Sequence, residues 1–179
     1  MPILKELINQ GFAIRLRSNH ALEHATLHVL QQTGFTGRLG GISDAGGFWI
    51  YGEIPTETLL VAAQAACKRL AAGESGLAVH PNCGTNLAVG ALAAGGLAWI
   101  GMRGSKGKPA RRMARLPMAA LMGVIGYQIT KPLGPKIQEQ ITTNADVSGI
   151  EIAEVLRHDL VHGIMVHRVR TQPVKTDND

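Results

Sequence analysis

Three histidines at a spacing of four, His20, His24 and His28, with Glu23 directly before the second, are the residues of this chain best suited to chemistry. At roughly 100° per residue they drift only about 80° around a helix and form one stripe. Glu23 lies beside the stripe, while Leu22, Ala25, Val29 and Leu30 fall on the opposite, core-facing side. Two imidazoles one helical turn apart can share a zinc ion, and a neighbouring carboxylate can act as general base on metal-bound water. The bland alternative is a solvated, histidine-rich helix face. A second polar cluster, His80-Pro81-Asn82-Cys83-Gly84-Thr85-Asn86, is embedded in apolar sequence and offers His80 and Cys83 as further ligands. The expected site is therefore a metal, expected to be zinc, on His20, His24 and His80 or Cys83, with Glu23 as the base.

Composition bounds the setting. The chain has 179 residues and is 45% hydrophobic but only 4% aromatic, with 22 glycines and 17% charged residues. Such small, aliphatic apolar content with few charges leans towards a membrane-associated protein. The net charge of +5 suggests an anionic partner. Two cysteines, Cys67 and Cys83, make no disulfide framework. The opening residues carry neither a long apolar core nor a small-residue cleavage site, so no secretory signal is expected.

The elements that must position the site follow from the pattern. Residues 3–16 form a short amphipathic segment, and the histidine helix opens at Ser18 or Asn19 as N-cap and stops at Gly34. Two short strands flank an Asp-Ala-Gly-Gly turn at residues 44–47. A helix runs from Pro55-Thr56-Glu57 to about Ala72, with Leu59, Ala63, Ala66 and Leu70 as its packing face and Cys67 buried beside it. Gly76–His80 reads as a strand. Residues 1–83 thus form a small two-layer α-β-β-α-β domain, an α+β arrangement. Partial alternation in Val147–Val155 and Ile164–Val169 predicts a C-terminal β-hairpin (132–171) that extends the sheet. The helical alternative would pair His158 with His162. The tail, 172–179, reads as disordered.

Residues 84–131 are different in character. The runs 87–102 and 116–130 are apolar and carry small residues at helical spacing, Ala91 with Gly95 and Ala119 with Gly123. They predict a tight helical hairpin in a bilayer, against the alternative of buried helices in a soluble fold. Between them, 103–115 is a basic loop with six positive charges and no negative one. Without an aromatic residue to stack on bases it fits anionic lipid headgroups better than nucleic acid. Whether the hairpin spans or lies in one leaflet, and which side the α/β domain faces, stay open. So does association with a second copy or another membrane protein.

His-Ala-Leu-Glu-His-Ala-Thr (20–26), Asp-Ala-Gly-Gly-Phe-Trp (44–49) and Ala-Val-His-Pro-Asn-Cys-Gly-Thr-Asn (78–86) together resemble an uncharacterised bacterial family. That family is a domain of unknown function of cyanobacterial and Chloroflexi-type genomes. The resemblance extends to about Val155 and implies a membrane protein, in a plasma or thylakoid-type membrane, without implying any chemistry. The H-x-x-E-H of His20, Glu23 and His24 resembles that of the inverted zinc peptidases. Those enzymes take a downstream glutamate as third ligand, and none occurs here between Glu74 and Glu139.

Three functions fit these residues. The first is a membrane-associated zinc site that hydrolyses a peptide, amide or ester. The second is a noncatalytic, membrane-anchored module with a structural metal or a tetrapyrrole, in an assembly or scaffold role. The third is a thiol hydrolase with Cys83 at a helix N-terminus and His80 or His24 as base.

Overall fold

The computed structural model describes residues 11–104, 109–159 and 165–174. The chain divides into two compact units, residues 1–80 with 138–179, and residues 81–137. In the first unit, α1 (Gly11–Gln32) is followed by β1 (Gly40–Asp44), β2 (Gly47–Tyr51) and α2 (Thr56–Ala71), then by β3 (Ile150–Asp159) and β4 (Met165–Pro173). The described strands make an antiparallel sheet in the order β1-β2-β4-β3, so the C-terminal hairpin does extend the N-terminal one. The fold class is α+β.

Local sequence explains the elements. Helix α1 ends where Gly34 takes a φ of +85°, a conformation open to glycine, and Phe35 N–H closes the turn onto Leu30 O at 3.0 Å. Asp44 Oδ1 accepts from Gly46 N–H at 2.8 Å and fixes the tight β1–β2 turn. Helix α2 starts after Pro55, with Glu57 in its first turn and Lys68 and Arg69 in its last, as the macrodipole favours. Leu59, Ala62, Ala63, Ala66 and Leu70 are its buried face. Together with Leu22, Ala25 and Leu30 of α1 and Phe48, Ile50 and Val169 of the sheet they form one core. Cys67 is half-buried, its thiol donating to Ile150 O at 3.3 Å.

Three local expectations change. Ser18 and Asn19 do not cap α1, which is already helical from Gly11. Both are buried inside it and hydrogen-bond other segments: Asn19 Nδ2 donates to Asp44 O and Asn19 Oδ1 accepts from Thr171 Oγ1, each at 2.8 Å. Residues 75–78 are a 3-10 turn, not a strand. Leu77 and Ala78 are buried there, so burial alone produced the strand-like pattern. Gln172 and Pro173, expected in a disordered tail, instead end β4 against Glu151 and Ile150. Residues 3–10 of the N-terminal segment, 175–179 of the tail, 105–108 of the basic segment, and His162 lie outside the described residues.

The second unit holds α3 (Gly84–Met102), α4 (Pro109–Thr130) and the short α5 (Leu133–Ile137). Helices α3 and α4 pack along a seam of small residues. A Cβ placed on Gly126 would lie 2.6 Å from Ala93 O, and one on Gly101 would lie 3.0 Å from Ala119 Cα. Ala119 and Gly123 belong to this seam as expected, but Ala91 and Gly95 face outward, and a Cβ on Gly95 meets nothing. The basic segment is not a loop throughout. Arg111, Arg112 and Arg115 lie in the first turns of α4, which Pro109 can start because its missing N–H is not needed there.

The seam covers only one side of each helix. Leu92 is 77% and Trp99 64% exposed, and Leu116, Leu121, Val124, Ile125 and Ile129 are exposed on α4. Among the described residues, α3 is the one helix long and apolar enough to cross a membrane.

Candidate metal centre

All the groups described next belong to the first unit. The histidine stripe of α1 is buried at His24 and half-buried at His20 and His28. His24 is 1% exposed and its Nδ1 donates to Ala78 O at 2.7 Å. His20 Nδ1 donates to Thr142 O at 2.9 Å, and His28 Nε2 donates to Val79 O at 2.9 Å. Each carbonyl fixes which ring nitrogen carries the proton. The neutral ring then has its acceptor lone pair at Nε2 in His20 and His24, and at Nδ1 in His28. Metal-binding histidines are commonly held this way, one N–H on a carbonyl and the other nitrogen on the ion.

His80 joins the stripe from the segment after the 3-10 turn. Its ring centroid lies 5.7 Å from that of His24 and 4.8 Å from that of His28, while His20 and His24 are 4.3 Å apart. Four imidazoles therefore form a row in the order His20, His24, His80, His28. The backbone of His80 is clamped by Gln138, which is fully buried. His80 N–H donates to Gln138 Oε1 at 2.9 Å, and Gln138 Nε2 donates to His80 O at 3.1 Å. Burial, then the neighbouring His28 and His24 rings, pushes the pKa of His80 down to about 4. The ring is neutral at pH 7, the state a metal ligand needs.

Glu23 is 5% exposed and turns towards β1. Its Oε2 accepts from Ser43 Oγ at 2.5 Å, and its carboxylate occupies the space a side chain on Gly41 would need. A substitution at Gly41 would drive into Glu23, so glycine is required there by close approach rather than by a turn.

The structure thus brings His20, His24 and His80 together, as the sequence predicts, and adds His28. The ligand atoms of His20 and His24 lie within 4.8 Å of one another. This histidine cluster could bind a metal. Cys83 belongs to the second unit, where it is buried and caps α3, its sulfur accepting from Thr85 N–H at 3.4 Å. The motif reading missed Gln138, Ser43 and the carbonyls of Ala78, Val79 and Thr142. Nothing in an isolated sequence marks them, since the carbonyls belong to the backbone, and Ser43 and Gln138 act from 20 and 58 residues away. His28 could have been assigned, because it continues the stripe.

Fold and site define an α+β domain with a histidine cluster suited to metal, carried in one chain with an apolar helical hairpin. The chain belongs to the family described as Domain of unknown function (DUF6391), whose model matches residues 15–155. It is 32% identical over 161 residues to an uncharacterised protein of Picosynechococcus sp. (strain ATCC 27264 / PCC 7002 / PR-6), covering 80% of this chain and 70% of that one. No solved structure matches it.

Proposed function

We propose that this chain is a membrane-anchored metal-binding protein that holds zinc through His20, His24 and His80. One observation carries the reading: the rings of the α1 stripe each donate one N–H to a backbone carbonyl, which leaves the other nitrogen an acceptor. Imidazole suits zinc, copper, iron and nickel, and zinc takes it without any redox requirement. The anchor is the pair α3 and α4. Helix α3 has 19 residues, about 28 Å of helix, against about 30 Å of hydrocarbon. The basic residues of 103–115 would sit among anionic lipid headgroups.

The test is elemental analysis of detergent-purified protein. Wild type should retain zinc through dialysis, and His24→Ala should lose most of it. Metal-free wild type would end the reading. Fractionation tests the anchor: protein released from membranes at alkaline pH is not inserted.

A hydrolase is the second reading, favoured by the position of Glu23 one residue before His24 in H-x-x-E-H. Its carboxylate would take a proton from zinc-bound water. Glu23→Gln should then keep zinc while abolishing hydrolysis of activated esters or peptides. An unchanged rate removes Glu23 as base, and lost zinc makes it a support for the site. The bond to Ser43 and the close fit at Gly41 favour such a support, and with it the noncatalytic module.

A further inference from the structure

The row of four rings is unevenly spaced. Its outer gaps are 4.3 Å (His20–His24) and 4.8 Å (His28–His80), whereas the middle gap between His24 and His80 is 5.7 Å. Two imidazoles on one tetrahedral zinc, with bonds of about 2 Å, place their ring centroids about 5 Å apart, so each neighbouring pair in the row is close enough to share an ion, and the distance between the end rings decides how the row divides. We propose that the row divides into two pairs and holds two ions, the second coordinated by His28 and His80. This rests on the metal-binding reading above and refines its stoichiometry and its assignment of His80.

A single ion does not account for the row. His20 and His28 are eight residues apart, about 12 Å along the helix, while two nitrogens on one zinc lie within about 4 Å of each other. Each is tied to its own carbonyl, Thr142 for His20 and Val79 for His28, so neither ring is at liberty to swing towards the other. One ion at the His20 end would leave His28 held in a ligand's geometry with no ligand's task. Exposure fits two sites as well. The end rings, His20 and His28, are half-buried, whereas His24 and His80 are buried, so each pair has one ring that meets solvent and one that does not. Each ion can enter from its own end. The donors are imidazole nitrogens, which suit zinc and copper(II), and two per ion leave positions for water.

The experiment loads full-length protein in detergent with zinc, removes excess by dialysis and counts metal per chain. Wild type should hold two equivalents. His28→Gln, which keeps a donor for Val79 O, should hold one, as should His20→Gln. One equivalent in wild type, unchanged in His28→Gln, overturns the second site and leaves the first standing. Two equivalents in both proteins also overturn the assignment. No metal in wild type overturns the second site together with the metal reading. If His28→Gln fails to fold, wild type loaded with copper(II) decides alone. A half-field electron spin resonance signal from coupled ions is expected, and a spectrum of isolated ions only defeats the proposal.

Discussion

The two units of this chain handle apolar side chains in opposite ways. The first buries Phe48, Leu22, Leu30, Ile50 and Leu59 completely and spends its polar residues on specific partners. The second buries Ala119, Gly90 and Gly126 in its seam and leaves leucine, isoleucine and tryptophan outside. Charge divides in the same way. Eight of the 18 basic residues and none of the 13 acidic ones fall in 81–137, and no histidine does either. A unit that packs on its small residues and shows its large ones is stabilised by close helix approach, and its large side chains contribute little to that packing. A unit of the first kind is held by a filled apolar core. The contrast teaches that hydropathy averaged over the chain describes neither half.

The largest expected effect contrasts the two kinds of apolar residue. Phe48→Ala should destabilise the first unit by about 3–5 kcal/mol, since it opens a cavity in a filled core. Leu92→Ala should change thermal stability in detergent by less than about 0.5 kcal/mol, because the side chain has little to lose. Equal losses in chemical denaturation would break the comparison.

Acid separates the units next. The unfolded His80 titrates near 6.5 and the folded one near 4, so between these values the unfolded chain binds the extra proton. The contribution of His80 to stability is therefore complete above pH 6.5 and falls as pH drops towards 4, by up to about 3 kcal/mol in metal-free protein. The second unit has no group that titrates in this window. Denaturation followed by circular dichroism from pH 7 to 4 should show one transition shifting and the helical hairpin unmoved.

The smallest effect tests the seam. Gly126→Leu forces a side chain against the backbone of α3 and should cost the hairpin about 1–3 kcal/mol, read as lost cross-linking between cysteines placed on α3 and α4. Gly95→Leu enters open space and should leave cross-linking intact. The reverse result would put the seam on the wrong face.

These contrasts also mark what the sequence could tell. Periodicity identified the histidine helix, the Asp-Ala-Gly-Gly hairpin, helix α2 and the two apolar helices, because each is set by residues close together in the chain. It misplaced the start of α1, because Ser18 and Asn19 suit a cap equally well whether or not a distant strand claims them. It misread residues 76–80, because burial looks alike in a strand and a 3-10 turn. It chose Ala91 and Gly95 for the seam because a helix of uniformly small apolar residues has no phase to read. The histidines were legible as a stripe, but their carbonyl partners were not, since every residue has a carbonyl.

The clamp between Gln138 and His80 has a consequence for the chain as a polymer. His80 is the last residue of the first unit before residues 81–137, and Gln138 is the first after them, so the two hydrogen bonds tie the ends of a 57-residue excursion. To the first unit the hairpin is a loop, already closed at its neck. Loop-closure entropy grows only with the logarithm of length, so replacing 57 residues by about four would relieve it by about 2 kcal/mol. The α+β unit is thus built to tolerate whatever length its loop takes.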